Sequence, residues 1–123
     1  MRRFAVILFW SAATFALTMA SLPNAFELSV ESGDKVQHMI SFAVLALLGA
    51  QAYPRRLIAL LIGLSGFGAL IELVQLIPSL NRTADWTDFA ADIITTAAVL
   101  GVIFVVRRIR ARSMRPTREA PIR

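Results

Sequence analysis

The chain has no cysteine and a single histidine, His38, among its 123 residues. A disulfide frame and a thiol nucleophile are therefore excluded, and a closed structural zinc site, built from Cys and His, is a poor fit. The lack of cysteine says nothing about compartment. No internal repeat or low-complexity segment is present either, which leaves one domain's worth of ordinary sequence.

Apolar residues dominate what is there: 57% are hydrophobic, and the mean hydropathy is +0.66. Both exceed what a soluble domain carries. They fall into four long blocks, 4–22, 36–53, 57–77 and 89–106. Crossing a hydrocarbon core takes about 20 helical residues, with about 17 tolerated, and each block satisfies that. The sequence therefore predicts an all-α fold, a four-helix transmembrane bundle spanning 1–106, followed by a basic tail, 107–123.

A net charge of +5 would point to nucleic acid in a soluble protein. Here most of the positive charge follows the last apolar block, where a membrane surface explains it, so no nucleic-acid partner is expected. Sorting the basic residues by helix end is more informative. Eleven of the thirteen fall on one side: Arg2, Arg3, Arg55, Arg56 and the seven arginines from Arg107 onward; only Lys35 and Arg82 fall on the other. The arginine-rich side belongs in the cytoplasm. Both termini and the Tyr53-Pro54-Arg55-Arg56 turn are then cytoplasmic, and the loops 23–34 and 78–85 face out. A competing reading takes the first block as a cleaved signal peptide, given Arg2-Arg3 and Thr18-Met19-Ala20-Ser21. Its apolar run is long for that purpose, and cleavage leaves the orientation of the other three helices unchanged.

Pro23 and Pro78 end the first and third helices, because proline has no N–H to continue the ladder. Asp34 is placed to cap the second helix, and Asp85 precedes the fourth. Trp86 suits the membrane interface, while Trp10 and Phe15 read as lipid-facing or packing residues. Small pairs at Ser65/Ala69, Ala46/Ala50 and Ala97/Gly101 would let helices approach closely. The tail is expected to be disordered or to lie along anionic headgroups.

Residues three or four apart share a helix face. The second helix aligns Asp34, His38 and Ser41; the third, Ser65, Gly68, Glu72 and Gln75; the fourth, Asp85, Asp88, Asp92 and Thr95. The first carries Ser11, Thr14, Thr18 and Ser21 on one side. Each helix is thus expected to turn one polar face inward. At about 1.5 Å per residue, Glu72 lies roughly 22 Å above the start of its helix and Asp92 about 9 Å below the start of the next, which brings them to one level. A charge in hydrocarbon costs about 2.5 kcal/mol or more, so it normally faces inward and has a partner. Lys35, Arg82 and His38 are the nearby groups that could offset Glu72 and Asp92.

These residues resemble the VanZ-like family of small bacterial membrane proteins, named for a teicoplanin-resistance protein. The likeness rests on Asp34-Lys35-Val36-Gln37-His38, Glu72-Leu73-Val74-Gln75, Pro78, Arg82-Thr83-Ala84-Asp85 and Asp88-Phe89-Ala90-Ala91-Asp92, in order and spacing over about 34–101. Two positions depart: Asp92 stands where the family often has Asn, and Thr95 where it often has Gly. The resemblance implies a multi-pass protein of the bacterial cytoplasmic membrane, connected with the cell envelope and with lowered teicoplanin susceptibility. It implies no particular reaction.

Four functions compete for the cluster. The first is a site for a lipid-linked envelope intermediate, such as a cell-wall precursor, at the outer leaflet. There Lys35, Gln75 and Arg82 would bind substrate, and His38, Glu72, Asp88 and Asp92 would be candidate catalytic groups. Whether such a site turns over or only binds is left open. The second is a scaffold in which the same residues fix helix packing, with Asp34 and Asp85 structural. A metal site at His38, Asp34, Glu72, Asp88 and Asp92 ranks third, and transport fourth, because polar groups occupy only one end of the helices. No metal or cofactor is assigned, and membrane lipids are the expected surroundings.

Overall fold

A computed structural model describes residues 1–21, 33–77 and 86–116. They form four helices: α1 (Arg2–Ser21), α2 (Gly33–Ala52), α3 (Leu57–Gln75) and α4 (Trp86–Ser113). The all-α expectation holds. Leu, Ile, Val and Ala in long runs supply the helices, and few polar side chains compete for the backbone.

Between α2 and α3 the chain turns within Tyr53 to Arg56. The Tyr53 N–H still bonds Gly49 O at 2.8 Å, and the Arg56 N–H bonds Tyr53 O at 3.1 Å. The missing N–H of Pro54 stops the helix between them. At the far end of α3 the ladder tightens to three-residue spacing, with Leu76 N–H to Leu73 O at 3.3 Å and Ile77 N–H to Val74 O at 3.1 Å.

The last carbonyls of α2 have no intrahelical donors, and arginines from two other helices supply them. Arg107 of α4 donates to Ala50 O at 3.1 Å and to Pro54 O at 3.0 Å. Arg2 of α1 donates to Ala52 O at 3.3 Å. These contacts bring the start of α1, the α2–α3 turn and the Arg107 level of α4 to one end of the bundle. Cations there also complement the negative end of the α2 dipole.

Helix α2 packs on both α1 and α4, and α3 packs mainly on α4. The core between them holds Phe9, Phe42, Leu45, Ala46, Ala50, Leu60, Leu64, Ile71 and Leu100. At Gly49, α1, α2 and α3 come close together. A Cβ added there would lie 2.8 Å from Leu60 Cδ2 and 3.0 Å from Phe9 Cε2.

Exposed apolar residues and buried charged ones occur together. Ile58, Ile62, Ile94, Phe4 and Val102 point outward, each more than 60% exposed, while Glu72 and Asp92 are at most 1% exposed. Large apolar side chains thus cover much of the outside, around a core that is apolar except for the polar cluster at one end. Three helices, α1, α3 and α4, are long and apolar enough to cross a bilayer; in α2 the apolar stretch Val36–Ala52 is shorter.

Four expectations need correction. Helix α2 begins at Gly33, so Asp34 stands in its first turn instead of ahead of it as a cap. The α1 hydroxyls of Ser11, Thr14 and Thr18 face outward. Thr14 and Thr18 donate to the carbonyls four residues back, at 2.9 and 2.8 Å, and a hydroxyl satisfied by its own helix can face lipid. Of the small pairs, Ala46/Ala50 is buried as expected, but Ala97 and Gly101 are exposed, and no atom lies within 4 Å of a Cβ placed on Gly101. The tail is not irregular at its start: α4 runs on to Ser113. Arg and Ala favour helix, and Arg110 and Arg112 in the last turn suit its dipole.

Candidate functional site

At the end of the bundle opposite Arg2 and Arg107, α2, α3 and α4 converge on a cluster of polar side chains. His38, Glu72, Gln75, Asp88, Asp92 and Thr96 are all buried, from 8% exposure at His38 down to 0% at Asp92 and Thr96. The sequence places one member on α2, two on α3 and three on α4, at helical spacings that turn each set toward the bundle axis.

His38 Nδ1 lies 3.3 Å from Asp92 Oδ2. At that distance the pair is a hydrogen bond when Nδ1 carries a proton and an ion pair when the ring is charged. Asp92 approaches α3 at Gly68, where a Cβ would stand 3.4 Å from Asp92 Oδ2 and 3.4 Å from Phe42 Cζ. A Cβ at Gly68 would thus meet the carboxylate at ordinary contact distance, which places Asp92 against α3 beside the histidine. The other carboxylate oxygen, Asp92 Oδ1, has no hydrogen-bond partner among the described residues; the same holds for Thr95 Oγ1 and Thr96 Oγ1. One ligand atom each from His38, Glu72 and Asp88 lies within 4.8 Å of the others.

His38 also belongs to the wall of a cleft of about 320 Å³ between α1 and α2. Phe15 and Met19 of α1 face Ile40 and Phe42 of α2 across it, and Ile71 of α3 contributes from below. Gln37, His38 and Ser41 are its polar lining. The histidine is the one cluster member that both meets a buried acid and borders this space.

The structure therefore brings together His38, Glu72, Asp88 and Asp92, four residues singled out from the sequence, and buries a fifth, Gln75, three residues after Glu72 on α3. The side chains of Asp34 and Lys35, and all of Arg82 and Asp85, lie outside the described residues. Thr96 was not anticipated. Its position four residues after Asp92 was the available signal, since that spacing repeats the buried face of α4. Phe15, read as a lipid-facing or packing residue, is 67% exposed and lines the cleft. Trp10 donates its indole N–H to Tyr53 Oη at 2.9 Å, tying α1 to the turn, and Trp86 is 64% exposed at the start of α4.

The chain matches no family model, no curated protein and no solved structure.

Proposed function

We propose that this is a VanZ-like integral protein of the bacterial cytoplasmic membrane that binds a lipid-linked or anionic envelope component at the outer leaflet. The arginine count sets its orientation, with the Arg2, Arg56 and Arg107 end in the cytoplasm, so the polar cluster and the cleft beside it lie toward the exterior. The reading rests mainly on the cleft. Its walls are apolar, its rim residues Phe15, Met19 and Ile40 are exposed in a region that lipid would surround, and it ends on His38. A hydrocarbon chain fits such walls, and a polar head fits the histidine and the groups behind it. Lys35 and Arg82, from the same side of the sequence, are suited to a phosphate or another anion. Any influence on teicoplanin susceptibility would act through that component.

The test is lipid analysis of the full chain purified in mild detergent. Wild type should retain a polyprenyl phosphate or similar anionic lipid, and Ala16→Trp, which fills the cleft from α1, should lose it at unchanged folded yield. Equal lipid content in both proteins removes the proposal.

Complete burial of Glu72, Asp92 and Thr96 between helices favours a second reading, a scaffold whose cluster holds the helices together for a partner protein. On that reading substitutions at His38 and Glu72 lower folded yield and leave no well-folded protein lacking function.

A further inference from the structure

Glu72, Asp88 and His38 come from three helices, yet one ligand atom of each falls within 4.8 Å of the other two. Three atoms at that limit are equidistant from a point about 2.8 Å away, and cation–ligand bonds to N and O are about 2.0–2.2 Å. Ligand-atom shifts of about 0.6–0.8 Å would close the difference. Two carboxylate oxygens with one imidazole nitrogen form the mixed donor set that suits Zn²⁺ or Mn²⁺; Ca²⁺ takes six to eight oxygens.

A second feature points the same way. Asp92 is wholly buried and holds His38 Nδ1 at 3.3 Å through Oδ2. Metal-binding histidines commonly donate one ring N–H to a carboxylate, which fixes the tautomer and presents the other nitrogen to the ion. Bonded to Nδ1, Asp92 would leave Nε2 for the ion, and its own second oxygen, Oδ1, has no hydrogen-bond partner among the described residues. Four groups thus assemble as three ligands and one orienting carboxylate.

We infer that His38, Glu72 and Asp88 bind a divalent transition-metal ion, with Asp92 as the positioning residue. The ion neutralises acids that hydrocarbon would otherwise disfavour. With two carboxylate ligands the ion is charge-balanced, and its open coordination positions could take an oxygen of a phosphate or carboxylate head in the cleft. The inference goes beyond the lipid reading and is tested without added lipid, so the failure of either leaves the other standing.

The experiment loads the full chain in detergent with Mn²⁺ or Zn²⁺, removes excess ion by desalting, and measures bound metal by elemental analysis. Wild type should keep about one equivalent, and Glu72→Gln and Asp88→Asn should each keep almost none. Asp92→Asn should weaken affinity about 10- to 100-fold while stoichiometry at saturation is preserved, as expected of an orienting group. Wild-type protein loaded with Mn²⁺ should also show nitrogen modulation in its electron-spin-echo spectrum, a readout of imidazole ligation that requires no variant to fold. Folded wild type that keeps neither metal overturns the inference, as does binding undiminished by both carboxylate substitutions or a Mn²⁺ spectrum without nitrogen.

Discussion

Arg107 of α4 donates to the carbonyl of Ala50 in α2 at 3.1 Å, and its other terminal nitrogen reaches Pro54 O at 3.0 Å. The arginine count along the sequence does not anticipate this contact. One guanidinium closes the C-terminus of α2 and fastens α4 to the turn. Arg107→Ala should lower stability in detergent by about 1 kcal/mol, the net worth of such bonds at a partly exposed site. Arg107→Lys should recover only part of this, because a point charge cannot reproduce the planar fork. Thermal unfolding of the three proteins checks it, and equal midpoints for wild type and Arg107→Ala count against the contact.

Gly49 and Gly101 make a matched pair. A Cβ at Gly49 meets Leu60 and Phe9 at 2.8 and 3.0 Å, whereas one at Gly101 meets nothing within 4 Å. Gly49→Val should cost about 1–3 kcal/mol through overpacking. Gly101→Ala should be neutral or gain up to about 1 kcal/mol from helix propensity. Unfolding midpoints in one detergent read both, and the expected order reverses if the α1–α2–α3 contact is not formed.

Part of this was legible because charges are few in such apolar helices and fall at helical spacing. Glu72, Asp88 and Asp92 had to face inward, so their spacing alone identified the buried faces of α3 and α4. Pro54 between two helical blocks marked the reversal. Hydroxyls were less informative: Thr14 and Thr18 satisfy themselves on α1 and face outward, whereas Thr96 is buried, and the sequence contains no energetic penalty that separates the two cases. The same limit applies to glycine, since Gly49 and Gly101 look alike until neighbouring helices are placed. The α4 extension to Ser113 was obscured by its charge, which said "tail" while Arg and Ala propensities said "helix".

Orientation is open to a clean test because the chain has no cysteine. Ile77 and Ser113 are both exposed, 48% in the first case, and they lie at opposite ends of the bundle. In intact cells Ile77→Cys should react with a membrane-impermeant maleimide and Ser113→Cys should react only after permeabilisation. The opposite pattern would put the polar cluster on the cytoplasmic side and remove an outer-leaflet ligand.

The His38–Asp92 pair separates loss of a charge from loss of a partner. Asp92→Ala leaves His38 buried without the oxygen 3.3 Å from its Nδ1, and a buried donor left unsatisfied costs about 1–3 kcal/mol. Asp92→Asn keeps the volume and an acceptor oxygen for an Nδ1 proton, so its cost should be about 1 kcal/mol or less. Folded yield and unfolding midpoint should therefore rank wild type close to Asp92→Asn and well above Asp92→Ala. If Asn proves as damaging as Ala, the negative charge itself holds the cluster together, and a cation facing it becomes a requirement of the fold.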